Sequence, residues 1–145
     1  MKQEDKELLL KDISARLPYG VKLYANYVDG INTKEGKGRL SMIDNDMVVA
    51  FIDETENTCS FTYVALHEVK PYLFPMSSMT KDIEDEIYKE TGLYDIMEND
   101  MVHIEVGVNF LDVCKVFSIL NKHHLDYNDL IPMGLAKDAT GLNIY

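Results

Sequence analysis

Between Gly20 and Leu66 the sequence consists of short apolar runs separated by polar and glycine-containing turns, and this pattern restricts the possible folds more than any other feature. Strands at nearly even spacing, with no helix between them, favour a small antiparallel meander or an SH3-like barrel over a parallel sheet with crossover helices. The predicted strands are Val21–Val28, Arg39–Ile43, Met47–Ile52 and Ser60–Leu66, and the predicted turns are Asp29-Gly30, Lys34–Gly38, Asp44–Asp46 and Glu54–Thr58.

A helix is predicted before this region, over Glu4–Leu17. Its apolar residues recur at helical spacing, and charged residues cover the other side. The segment Leu17–Gly20 ends it, because the residue before a proline is pushed out of the helical region and glycine suits the exit. The predicted apolar stripe is Leu9, Leu10, Ile13 and Leu17, and the predicted polar side is Lys6, Glu7, Lys11 and Asp12.

From Val69 onward the pattern becomes mainly helical. Val69–Met76 contains two prolines, which exclude a central strand, so we predict an extended connector along the core. Lys81–Thr91 has acidic residues in its first turns and Gly92 as a C-terminal cap, which predicts a second helix, and Met101–Val106 alternates like a strand. A third helix is predicted after the cap residue Asn109, with an apolar stripe of Phe110, Val113, Cys114, Phe117 and Leu120.

Together these elements predict an α+β fold in a single domain over residues 1–145. The N-terminal helix leads into a β-rich half over about residues 20–75, built as a small antiparallel SH3-like or meander barrel. A mainly helical half follows over about residues 76–145. A chain of 145 residues with 46% hydrophobic residues can form one compact core and is too short for two full-sized domains.

Negative charge is concentrated in the second half. Residues 1–75 carry 9 basic and 12 acidic side chains and residues 76–145 carry 5 and 13, which divides the net charge of −11 into −3 and −8. Such a chain repels phosphate, so direct binding to nucleic acid and to anionic membranes is disfavoured. A solubilising surface is the favoured interpretation. The alternatives are that the acidic half attracts a protein partner with a basic surface, through residues such as Asp82, Glu84, Asp85 and Glu86, or that it imitates the charge of DNA.

The sequence predicts a cytoplasmic protein with no cofactor. No segment approaches the roughly 18 consecutive apolar residues of a membrane span, and the charged start Met1–Glu7 does not resemble a secretory signal. Cys59 and Cys114 are isolated, which favours reduced, half-buried residues over a disulfide.

The run Leu120–Tyr127 holds the densest set of chemically capable side chains. His123 and His124 are adjacent, and a carboxylate and a phenol follow within three residues. In the structural interpretation, the two imidazoles end the third helix, where they can bond its last carbonyls. Asp126 then caps a short helix over Tyr127–Met133.

A functional interpretation of the same run stays open. His123 or His124 is then a general base or a metal ligand assisted by Asp126, with Tyr127 as a proton donor. Adjacent histidines point in different directions on a helix, so they rarely share one metal ion. Candidates for a third ligand are His67 and His103. We favour the structural interpretation, because it gives each polar residue a function and needs no further ligand.

Aromatic residues in the β-rich half are the remaining candidates. They could form a face that stacks nucleotides, but the basic residues of such a groove are sparse, and a hydrophobic core is the favoured interpretation. These residues are Tyr19, Tyr24, Tyr27, Phe51, Phe61 and Tyr63.

Three blocks of the sequence together resemble a known family. They are Leu10–Val21, Val69–Thr80 and Leu120–Tyr127. In this order they are similar to small uncharacterised proteins of gut Bacteroides-type bacteria and their prophages or mobile elements. The family has a tryptophan-leucine pair where this chain has Ile119-Leu120. The resemblance implies a mobile-element origin and no particular activity.

The sequence therefore predicts a non-enzymatic protein-binding or accessory module. The alternative is a hydrolase or metal-binding protein that uses His123, His124 and Asp126.

Overall fold

The computed structural model describes residues 1–44, 48–54 and 60–145. The helices are α1 (Gln3–Arg16), α2 (Lys81–Thr91) and α3 (Phe110–Lys122). The strands are β1 (Lys22–Asp29), β2 (Asn32–Ile43), β3 (Val48–Asp53), β4 (Ser60–Ala65), β5 (Val69–Leu73), β6 (Met97–Glu98), β7 (Met101–Val102) and β8 (Lys137–Asp138). Short 3-10 turns cover Leu17–Tyr19, Leu66–Glu68 and Met76–Ser78. The predicted turn residues 45–46 and 55–58, and Cys59, lie outside the described residues.

The main sheet has the strand order β4-β3-β2-β1-β5-β8. Strands β1 to β4 form an antiparallel meander, β5 pairs antiparallel with the other side of β1, and β8 is parallel to β5. The α+β prediction, with an N-terminal helix and later helices, is confirmed. The predicted barrel is not found, because β5 pairs with β1 and not with β4, so the described strands form an open sheet.

Strand β2 is much longer than predicted. Its pairing with β1 runs without interruption from Asn32 to Arg39, and the hairpin turn lies at Gly30-Ile31. The predicted turn Lys34–Gly38 is therefore wrong. Gly36 and Gly38 are buried on the same face as Leu40, so their period of two is that of a strand.

Strand β5 replaces the predicted connector. Pro71 lies opposite Leu23 of β1, within the antiparallel pairing. On its other side β5 pairs with β8 only through Tyr72 and Leu73. Because Pro71 lies outside that short pairing, its lack of an N–H group costs no hydrogen bond to β8.

Helix α1 packs on the inner face of the sheet and forms the first core. Two expectations for it are wrong: Asp12 is buried, and Leu17 is 37% exposed. Leu17 belongs to the 3-10 turn that follows α1, so it leaves the apolar stripe. The buried members of this core include Leu9, Ile13, Val21, Leu23, Leu40, Val49, Val64, Val69, Leu73 and Leu130.

A second core lies between α2, α3 and the β6–β7 hairpin. The predicted stripe of α3 is partly wrong, because Phe110 and Cys114 are exposed while Val116 and Ile119 are buried. The predicted strand Met101–Val106 is reduced to two residues, which pair with the two residues of β6. In the described part of the chain, no helix has the length and apolar character that crossing a membrane requires. The core comprises Met76, Ile83, Ile87, Ile96, Val116, Ile119, Leu120 and Leu125.

Candidate functional site

A groove of about 560 Å³ lies where the end of β5, the start of α2 and the segment after α3 meet. Its floor is apolar and is formed by Ile83 and Leu125, which are buried, and by Phe74, which is half-buried. Exposed polar residues surround this floor, among them Thr80 and Asp82. The other lining residues are Ser78, His123, Thr140 and Gly141. We call this site the α2 groove.

His123 lines the α2 groove and is held by Glu86 of α2. Its Nε2 lies 2.8 Å from Glu86 Oε2, and Lys122 Nζ donates to the other carboxylate oxygen at 2.7 Å. The hydrogen bonds from Lys122 and His123 lower the pKa of Glu86. This arrangement ties α3 to α2 and occupies both oxygens of the carboxylate.

His124 has different surroundings. Its backbone is in the left-handed region, with φ of 56°, and its ring stacks on Tyr145 with centroids 4.0 Å apart. Burial, and then the nearby charge of Arg16, lower the pKa of His124 to about 4. The imidazole is therefore neutral at pH 7, and its Nδ1 has no hydrogen-bond partner among the described residues.

Asp126 accepts two backbone hydrogen bonds. Leu130 N–H donates to one oxygen at 2.8 Å and Ile131 N–H to the other at 2.7 Å. Burial raises the pKa of Asp126 despite these bonds. The predicted helix over Tyr127–Met133 is wrong: this segment forms turns. Asp129 has φ of 57°, which interrupts helical geometry.

A buried ion pair in α1 holds the run Leu120–Tyr127, here called the His run, in place. This pair was not predicted from the sequence. Arg16 donates to both carboxylate oxygens of Asp12, at 2.8 and 2.9 Å, and to Leu125 O at 2.8 Å. Its guanidinium also lies over the Tyr127 ring, 5.2 Å from the centroid. Asn128 donates to Asp12 at 3.0 Å. The i, i+4 spacing of Asp12 and Arg16 is a signal for such a pair, but Asp12 was predicted on the polar side of the helix and Arg16 was not assigned.

The candidate residues of the His run therefore do not form one catalytic set. His123 bonds Glu86, His124 stacks on Tyr145, and Asp126 binds backbone amides. Tyr127 also has its own hydrogen-bond partner, because its hydroxyl donates to Asn121 Oδ1 at 2.9 Å. Across residues 1–44, 48–54 and 60–145, no three His, Cys, Asp or Glu side chains are arranged to hold a metal ion. The proposed third ligands lie elsewhere: His67 lines another groove, and His103 lies beside Glu98.

The four acidic candidates on α2 divide into two kinds. Asp82, Glu84 and Asp85 are exposed. Glu86 is half-buried and faces α3, where it pairs with Lys122 and hydrogen-bonds with His123. Three of the four carboxylates therefore remain accessible to a partner, and Asp82 lies at the α2 groove.

The predicted aromatic core is only partly formed. Tyr63 is 65% exposed, whereas Tyr24 and Tyr27 line a second groove, of about 590 Å³, at the edge of β1. Tyr19 is half-buried in the turn after α1. The side chains of Phe51 and Phe61 lie outside the described part of the structure.

Comparisons of the chain with protein-family models, with curated proteins and with solved structures found no match. What the geometry defines is an α+β protein with an open sheet and two surface grooves, the α2 groove and the groove at the edge of β1.

Proposed function

We propose that the protein is a non-enzymatic binding or accessory module that holds a partner protein in the α2 groove. The observation that carries this proposal is an apolar floor directly beside an accessible acidic helix. Phe74, Ile83 and Leu125 provide the floor, and Asp82 lies beside it. Apolar pockets with a polar rim are typical of the buried centre of protein interfaces.

The partner segment is basic and carries an apolar anchor. Asp82, Glu84 and Asp85 attract lysine or arginine, and the second half of the chain has a net charge of −8. Charge complementarity of this kind mainly raises the association rate and makes it depend on ionic strength. The apolar floor then supplies the short-range contact that slows dissociation.

The alternative, a hydrolase or metal-binding protein based on His123, His124 and Asp126, has less support. Each of these side chains has a separate partner. A catalytic histidine in the α2 groove also needs a nucleophile or a bound water within hydrogen-bond reach. No hydrogen bond between His123 and a hydroxyl group is found among the described residues.

The proposal includes an origin in the family of small proteins from gut Bacteroides-type bacteria and their mobile elements, and a cytoplasmic location. The origin rests on the resemblance of the three blocks Leu10–Val21, Val69–Thr80 and Leu120–Tyr127. In the structure these blocks contact one another. Arg16, in Leu10–Val21, donates to Leu125 O in Leu120–Tyr127. Phe74, in Val69–Thr80, exchanges backbone hydrogen bonds with His124 and Asp126 at 2.9 and 2.8 Å. The blocks thus form one structural unit behind the α2 groove.

The test is affinity capture from a lysate of the native host. The proteins that are retained by two charge variants of the chain are compared. Asp82→Asn/Glu84→Gln/Asp85→Asn neutralises the accessible α2 carboxylates. The matched control, Glu4→Gln/Glu7→Gln/Glu105→Gln, changes the net charge equally at other exposed positions. We expect a basic partner that the control retains and the α2 variant loses, with binding that weakens as salt rises. Equal retention by both variants, or no specific partner, would contradict the proposal.

A further inference from the structure

The outer face of the main sheet is basic although the protein is acidic. Residues directly opposite each other in a ladder point to the same face, so Tyr24 shares its face with Lys37 and Lys70. The same face carries Lys22 opposite Arg39, and Lys137 Nζ lies 3.7 Å from the centroid of the Tyr24 ring. The basic residues of this face are Lys22, Lys37, Arg39, Lys70 and Lys137.

The acidic groups on this face neutralise only part of that charge. Glu54 accepts a hydrogen bond from Lys22 Nζ at 2.7 Å, and Glu35 accepts one from the Tyr24 hydroxyl, which raises the pKa of that tyrosine. Glu68, at the end of the groove, is engaged with the backbone N–H of Ala65 at 2.9 Å. The lining of the groove contains two lysines, Lys70 and Lys137, and one carboxylate, Glu68, which leaves a net positive charge among its lining residues.

Strand β1 extends beyond its partner β5. The two strands pair from Leu23 to Ala25 only, because the chain before Val69 forms a 3-10 turn. Among the described strands, neither Asn26 nor Val28 therefore has a partner on the β5 side of β1. This part of the β1 edge lies along one wall of the groove.

The direction of the backbone groups at that edge follows from the ladder. Lys22 N–H faces the β5 side of β1, where it donates to the Tyr145 hydroxyl at 3.2 Å, and that hydroxyl donates to Tyr72 O of β5 at 2.6 Å. Alternate residues of a strand direct their N–H and C=O groups to the same side. The backbone groups of Val28 thus face the groove, beyond the last residue of β5 that pairs with β1.

We propose that this groove, the β1-edge groove, binds an extended acidic segment of a protein partner, which adds to the sheet beside Asn26–Asp29. The main chain of the segment bonds to Val28, and its carboxylates lie against Lys70 and Lys137. Strand addition of this kind takes affinity from main-chain hydrogen bonds and specificity from alternate side chains. Exposed apolar residues at the adjacent hairpin, Val28 and Ile31 at 66% and 98% exposure, favour an apolar residue next to the carboxylates.

An acidic peptide suits this site better than a nucleic acid. Both carry negative charge, and the net charge of −11 of the protein repels both, so net charge does not distinguish them. The backbone N–H and C=O groups of the strand edge do, because only the main chain of a peptide can pair with them in register. The site is separate from the α2 groove and has the opposite charge preference, so it does not depend on the function proposed above.

The experiment selects binders from a phage-displayed library of random short peptides and measures their affinity for the full chain. We expect the selected peptides to contain acidic residues that alternate with β-branched residues. Lys70→Glu/Lys137→Glu should weaken their binding by about tenfold or more. The matched control Lys81→Glu/Lys89→Glu, which reverses two exposed lysines of α2, should retain binding.

Two further measurements test the strand-addition geometry. Val28→Pro removes one N–H from the β1 edge and leaves the β1–β2 pairing intact. The affinity for the peptide should therefore fall in this variant, whereas the control Val28→Ala should keep the wild-type affinity. If Val28→Pro fails to fold, N-methylation of the peptide backbone tests the same bonds on the intact protein. In ¹⁵N NMR spectra, bound peptide should shift the amides of Asn26–Asp29 and Lys70. Selection of basic peptides, equal affinity for both lysine variants, or tighter binding of an oligonucleotide at the same amides would overturn the proposal.

Discussion

His124 shows how burial fixes a protonation state. The ring is 6% exposed and stacked on Tyr145, with Arg16 close enough to disfavour a second positive charge. Its pKa of about 4 in the folded protein lies below the ordinary value of 6.5. Between these values the unfolded chain binds a proton that the folded protein does not, so the free energy of unfolding falls as pH falls through this window.

The prediction at this residue is that His124→Asn removes part of the acid sensitivity. Asparagine tolerates the left-handed backbone at this position and does not titrate. Between pH 7 and pH 4.5 the wild-type protein should lose about 2 kcal/mol more than the variant. Urea denaturation of both proteins at the two pH values measures this difference. The carboxylates titrate in both proteins, so their contributions cancel in the comparison. An equal loss of unfolding free energy in the two proteins would show that His124 does not titrate as described.

At the scale of elements, Asp126 organises the turns between α3 and β8. Replacing it with alanine leaves the N–H groups of Leu130 and Ile131 without their acceptors, and Leu130 is buried. We expect Asp126→Ala to cost about 1 to 2 kcal/mol of unfolding free energy. Amide hydrogen exchange should quicken at those two residues first.

Asp126→Asn is the control for this prediction, because it keeps the shape and one strong acceptor. It should cost less than the alanine variant in the same urea denaturation series. A variant at Asp126 with full thermal stability that lost zinc binding or a hydrolytic activity would contradict the structural role and favour the enzyme alternative.

Helices α1, α2 and α3 could be predicted from sequence because their signals are local, whereas the predicted helix over Tyr127–Met133 was wrong. Periodicity and caps gave α2 its bounds, and Gly92 adopts the expected left-handed cap with φ of 74°. Non-local pairing decided the failures: Gly36 and Gly38 lie in a strand because β1 pairs across them, and Pro71 is accepted because β8 is short. The link between His123 and Glu86 was missed because the two residues are 37 positions apart.

At the scale of the whole molecule, charge is segregated by surface rather than by sequence half. The net charges of −3 and −8 for the two halves conceal a basic sheet face to which β1, β2, β5 and β8 contribute. Four separate segments build this face, so no window of the sequence shows it. An acidic helix and a basic sheet edge on one chain allow two partners of opposite charge to bind different surfaces.

The two cores of the molecule are joined by the buried pair of Asp12 and Arg16. Arg16 belongs to α1, which packs in the first core, and it donates to Leu125 O, whose side chain belongs to the second core. Both charged side chains are fully buried. A buried pair contributes little over an apolar replacement, but removal of one partner leaves an uncompensated charge.

Asp12→Ala should therefore destabilise the whole molecule, by about 3 to 5 kcal/mol. The apolar double variant Asp12→Leu/Arg16→Met should cost less than the single variant, because it leaves no buried charge. The exposed α1 residue Lys11, replaced by alanine, provides the control and should change stability little. Urea denaturation gives the free energies, and amide hydrogen exchange shows where protection is lost. Since the pair joins both cores, protection should fall by similar amounts in β2 and in α3; a loss confined to one of them would show that the cores are stabilised independently.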